Sequence, residues 1–144
     1  MLAATSPAYA EPPFSTVSGG LSQIAESDPA ELSADAIRDD IRWFAAQIGA
    51  LEALSARWLA ELDRRVQGDD RGPFDTCSWF LQESLHLSSN AAYARIRTAR
   101  QLASMPRTVA ALRRGELSSQ QLAVICRAVE QAAQTTLEPS RVEI

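Results

Sequence analysis

From Ser33 onward the chain keeps a helical rhythm. Ile37, Ile41, Phe44, Ile48, Leu51, Ser55, Trp58, Leu62 and Arg65 recur at alternating steps of four and three, which puts them in one stripe on a helix. Ser33 supplies the cap, and Asp35 in the first turn faces the positive end of the helix dipole. A helix over 35–66 would be about 48 Å long at ~1.5 Å per residue. It is long enough to serve as a backbone for shorter helices, or as one strand of a helical pair between chains, and Leu54 and Leu59 widen its apolar face. Gln67 to Pro73, with two glycines and a proline, reads as a loop. Asp75 or Thr76 then caps a short helix carrying Trp79, Phe80 and Leu85, and His86, Leu87 and Ser88 break it. Ser88 caps a helix over about 89–104 with Ala92, Ile96, Ala99 and Ala103 on one side. Pro106 suits the first position of the next helix, and Gly115 suits its end. Ser118 with Gln121 forms a capping box for a last helix, with Leu122, Ile125, Cys126 and Val129 inward. No segment alternates with period two. The expectation is an all-α fold: one long helix packed with about four shorter ones, including a helix-turn-helix-like pair, over residues 33–134.

The flanks read differently. Residues 1–32 hold four prolines, two glycines, many Ser and Thr, and acids but no bases. Such a segment buries too little apolar surface to offset ordering, so a disordered tail is expected, with at most a turn of helix around Leu21 to Ala25. Residues 135–144 lose the periodicity and contain Pro139, which suggests a second tail.

Composition narrows the chemistry. The chain has 144 residues and a mass of 15.7 kDa, room for one domain plus tails. One His and two Cys give three soft ligands at most, His86, Cys77 and Cys126, short of a tetrahedral zinc set and at no zinc spacing. His86 suits a helix end, where an imidazole favours the dipole, better than catalysis. The two cysteines lie beside apolar residues and read as buried thiols. Trp43, Trp58 and Trp79 are spaced for core packing. No catalytic residues, metal or cofactor are therefore expected. Two cysteines without a framework suit a reducing compartment, no apolar run reaches ~20 residues, and the first Arg comes only at Arg38. A cytoplasmic protein is the expectation.

The net charge of −4 hides an asymmetry. Residues 1–34 carry four acids and no base, whereas 95–114 hold six arginines and no acid. A run of Arg is the footprint of a phosphate-contacting surface. The alternative is pairing with carboxylates of the long helix, such as Asp39, Asp40, Glu52, Glu61 and Asp63. At ~100° per residue, Asn90, Tyr93, Arg97, Arg100 and Ser104 share one arc of their helix, and Arg95 falls on the packed side, where internal pairing is expected. Arg reaches phosphate or guanine and Asn reaches adenine, so this arc has the equipment of a groove-reading helix.

The run LHLSSNAAYARIRTARQLASMPRTVAALRRGELSSQQLAVICRAV, with its Leu87-Ser88 turn, Met105-Pro106 step and Gly115-Glu116-Leu117-Ser118 turn, resembles the domain-of-unknown-function 222 region of the 13E12-repeat proteins. Many members of that family continue into an HNH endonuclease domain. The resemblance implies a role in DNA-directed nuclease proteins. HNH chemistry needs at least two His, and only His86 is present, so a truncated copy without the catalytic domain is expected and no catalytic residue is carried over. Two functions follow as expectations. One is a non-catalytic module that binds or positions DNA, with Arg97, Arg100, Arg113 and Arg114 on phosphate and Asn90 and Tyr93 on bases. The other is a helical dimerisation or interaction scaffold built on the 37–62 stripe. Neither a membrane nor a small-molecule substrate is expected as a partner.

Overall fold

The computed structural model describes residues 10–68 and 76–137. Most of the expected loop from Gln67 to Pro73, and the C-terminal tail past Leu137, lie outside these residues. Among the described residues there are six α-helices and no strand: α1 (Phe14–Ala25), α2 (Ala34–Gly68), α3 (Cys77–Leu85), α4 (Ser89–Leu102), α5 (Pro106–Arg113) and α6 (Ser119–Leu137). The all-helical expectation holds, and α2 is the long helix it called for. The last helix runs to Leu137, so the first residues expected in a tail are helical. The chain divides into two compact units, residues 1–41 and 42–144.

In the first unit, residues 1–9 of the expected tail lie outside the described residues; from residue 10 on, where composition points to disorder with at most a turn of helix around Leu21 to Ala25, the structure has the twelve residues of α1 and a 3-10 turn at Pro29–Glu31. The helix follows from spacing: Phe14, Val17, Leu21 and Ile24 repeat at helical intervals. All four are exposed, α1 buries no residue, and its N-terminus has no side-chain cap. Asp28 caps the 3-10 turn by accepting from the Ala30 amide at 2.9 Å. Ser33 caps α2 by accepting from the Ala36 amide at 3.2 Å.

In the second unit each helix boundary uses the residue whose chemistry suits it. Thr76 accepts from the Trp79 amide at 3.1 Å, and Ser88 accepts from the Ala91 amide at 3.2 Å. Ser118 and Gln121 close a reciprocal box, side chain to amide at 3.2 and 2.9 Å. His86 ends α3 in the left-handed conformation. Gly115 does the same after α5, with its amide donating to Leu112 O and that of Glu116 to Ala111 O, both at 3.0 Å.

The core has two parts. Ala53 of α2, Leu102 of α4, Leu112 of α5 and Leu122 and Cys126 of α6 form one, with Leu112 wholly buried. Cys77 and Leu81 of α3 with Ala92 and Ile96 of α4 form the other, under Leu59, Leu62 and Leu87.

The face that α2 turns inward corrects the sequence reading. Ala53 and Gly49 are buried, and Ala46, Ala50, Ala56 and Ala60 are half-buried. Of the expected stripe within this unit only Leu62 packs; Phe44, Ile48, Leu51 and Trp58 are exposed, Trp58 at 62%. The tryptophans assigned to the core, Trp43, Trp58 and Trp79, all point outward, as do Phe80, Leu85 and Val129, while Leu102 replaces Ala103 in the core. The reason is distance. A Cβ on Gly49 would lie 2.9 Å from the Leu112 carbonyl oxygen, and one on Gly115 would lie 2.6 Å from Ala46 Cβ. Backbones that approach this closely admit only small side chains between them.

Gly49→Ala should therefore destabilise despite the ~1 kcal/mol helix-propensity gain of alanine, by a net of about 1 kcal/mol, because it overpacks against backbone. Gly115→Ala, which also forces a positive φ of 73°, should lose about 2 kcal/mol or more. Urea unfolding measures both. Gly19→Ala, with nothing within 4 Å, is the control and should show no loss.

Candidate functional site

Two surfaces merit attention. The first is the polar arc of α4. The capping of α4 by Ser88 fixes its start, and burial of Ala92, Ile96, Ala99 and Leu102 fixes its rotation. Asn90, Tyr93, Arg97 and Arg100 are consequently all exposed, outside the buried stripe. Tyr93, Arg97 and Arg100 meet on one groove of about 430 Å³ between α4, α3 and the end of α2, with Asp63 and Gln67 on its opposite wall and Cys77 and Ser78 at the start of α3. Asn90 and Arg114 lie outside it. Arg113 lines a separate groove of about 420 Å³ beside Arg57, between α2, α4 and α5.

Three of the six arginines of residues 95–114 are answered from within. Arg100 holds Asp63 with both arms, Nε to Oδ2 at 2.7 Å and Nη2 to Oδ1 at 3.0 Å. Asp63 is only 7% exposed, so the pair satisfies a carboxylate that burial would otherwise penalise. The same hydrogen bond raises the Arg100 pKa above its ordinary value. Arg97 sits 3.8 Å from Glu130 of α6, a long and exposed ion pair. Arg114 grips Glu116 at 2.7 and 2.9 Å, which raises the Arg114 pKa and lowers that of Glu116. Among the described residues no ion pair engages Arg95, Arg107 or Arg113. Arg95 is exposed, contrary to the internal pairing expected of it. Further along α2, hydrogen bonds from Arg64 and Arg65 hold Glu61 down at about 2.

Asp63 is one of the long-helix carboxylates expected to pair; Glu130 is not among them. No local signal marks Glu130, which lies on a different helix from Arg97.

Both cysteines are buried, as expected. Burial pushes the Cys77 thiol up, with the Asp63 carboxylate adding to it and Arg100 opposing; burial also raises Cys126, helped by Glu130. Among the described residues no three His, Cys, Asp or Glu gather as metal ligands, and no helix is long and apolar enough to cross a membrane.

The second surface is the outward face of α2. Phe44, Ile48, Leu51 and Trp58 lie on one side of the helix, and Trp43 meets Phe44 edge to face with ring centroids 5.5 Å apart. No charged residue interrupts this side between Trp43 and Trp58.

Together these features define an all-helical module organised on one long helix. The chain belongs to the family described as "Domain of unknown function (DUF222)", whose sequence model matches residues 35–141. No curated protein and no solved structure matches it.

Arg100→Leu should strand Asp63 and lower stability by about 1–3 kcal/mol. Adding Asp63→Asn should restore part of that loss, as read by urea unfolding of the single and double variants. In the folded protein both thiols should react slowly with iodoacetamide at neutral pH and become fast in urea, because the raised pKa values keep them protonated and the fold keeps them covered.

Proposed function

We propose that the chain is a non-catalytic helical association module, which in a DUF222 protein serves a DNA-cutting activity carried by another segment or polypeptide. The observation that supports this reading is the outward face of α2. Phe44, Ile48, Leu51 and Trp58 keep a heptad rhythm over three turns and more, yet no described residue of their own unit covers them. A contiguous exposed apolar patch of this kind marks an interaction surface. Its residues need not be large to hold the fold, since α2 packs inward through alanine and glycine.

The DNA reading stands second, on the alignment of Asn90, Tyr93, Arg97 and Arg100 along one exposed arc. Arg100 and Arg114 are committed to Asp63 and Glu116, which leaves Arg97 and Arg113 as the better phosphate ligands. On this reading a labelled duplex oligonucleotide binds with an affinity that falls steeply with salt and falls further in Arg97→Ala/Arg113→Ala, read by fluorescence anisotropy. Binding that ignores both salt and substitution removes it.

A photo-crosslinking residue placed at position 51 in the native host should capture a protein partner, whereas the same residue at exposed position 120 on α6 should not. Equal, background-level capture at the two positions would overturn the association reading.

A further inference from the structure

We infer that the partner on this face is a second copy of the chain, with α2 paired antiparallel to α2 and Leu51 on the two-fold axis. The inference rests on the association reading and adds the identity and direction of the partner.

The first argument is area. Trp43, Phe44, Ile48, Leu51, Leu54 and Trp58 are each between 39% and 62% exposed. Their combined free surface is on the order of 600 Å², most of the roughly 800 Å² that each partner contributes to a standard interface. An isologous pair uses the same patch on both chains, so one such patch is all that a dimer requires.

The second argument is chemistry. The face from Trp43 to Trp58 is polar only at Gln47 and Ser55. Laying it on itself opposes no like charges, and a strongly charged partner would gain nothing from it.

The third argument sets direction. Phe44 and Trp58 stand seven residues to either side of Leu51. An antiparallel pair centred there stacks Leu51 on Leu51 and Phe44 on Trp58 at both ends, and it sets Ile48 across from Leu54 and the small Ser55 across from Gln47. A parallel pair would instead set Ser55 against Ser55, with a gap and two desolvated hydroxyls at the seam.

Sedimentation equilibrium of the full chain should give the dimer mass. Ile48→Asp and, separately, the milder Ile48→Gln should shift it towards monomer with helicity unchanged by circular dichroism, the aspartate weakening association about thirtyfold or more. Direction is read by cysteine pairing. Leu51→Cys should oxidise to a disulfide-linked dimer, and Phe44→Cys mixed with Trp58→Cys should link to each other in preference to themselves. Self-linking at position 44 or 58 overturns the antiparallel pair. A monomer at all concentrations overturns the second copy as partner. If position 51 still captures a different protein in the host, the association reading survives that failure; if it captures nothing, both fall.

Discussion

The close approach of α2 to α5 and α6 is the constraint from which the rest follows. Gly49 lies under the Leu112 carbonyl, and Ala46 lies against Gly115. At such separations any larger side chain would force the helices apart and open a void around Leu112, the largest fully buried side chain among the described residues. The inner face of α2 is therefore restricted to glycine and alanine over its first turns in this unit. That restriction settles where the large residues go. With the seam to α5 and α6 filled by small side chains, Phe44, Ile48, Leu51 and Trp58 can only face away. Further along, where α3 and α4 pack, Leu59 and Leu62 return to the core. One helix thus carries two apolar faces of different grain, a fine one for its own bundle and a coarse one left over.

Ser119 Oγ donates to the Glu52 carboxylate at 2.7 and 2.9 Å, tying the first turn of α6 to α2. Arg100 does the same for α4 through Asp63. The second tie is worth more because Asp63 is nearly covered, whereas the exposed clasp of Arg114 on Glu116 is screened by water and contributes little. The cationic run from Arg95 to Arg114 is accordingly a mixed surface. Part of it is structural, with Arg100 spent on holding a buried acid, and part of it has no ion pair among the described residues.

Much of this was legible in the residues. Caps are local chemistry, so Ser88, Ser118 with Gln121, Pro106 and Gly115 marked the boundaries that the structure uses. The shared arc of Asn90, Tyr93, Arg97 and Arg100 follows from helix geometry alone. The inward face of α2 leaves a weaker trace in the sequence: Ala46, Gly49, Ala53, Ala56 and Ala60 repeat at the same three-and-four spacing as the large stripe. Weighting by hydrophobicity favours the large residues, and periodicity says that a face is buried without saying by what. Tertiary placement decides which stripe the chain itself covers. The pairing of Arg97 with Glu130 was illegible for the same reason, since it joins two helices whose relative rotation only packing fixes.

The two surfaces do not compete for space on α2. Asp63, which anchors the groove of α4, lies twelve residues from Leu51, about 120° around the helix at ~100° per residue. An assembly joined through Leu51 would leave both α4 arcs uncovered and would hold them in one body. A single arc with Arg97 loosely tethered and Arg100 committed makes a poor polyanion site. Two arcs held together act at a high effective concentration, so weak contacts to a polyanion would reinforce each other, provided that one molecule spans both. Association through α2 would then be the condition under which the residual positive charge of α4 matters.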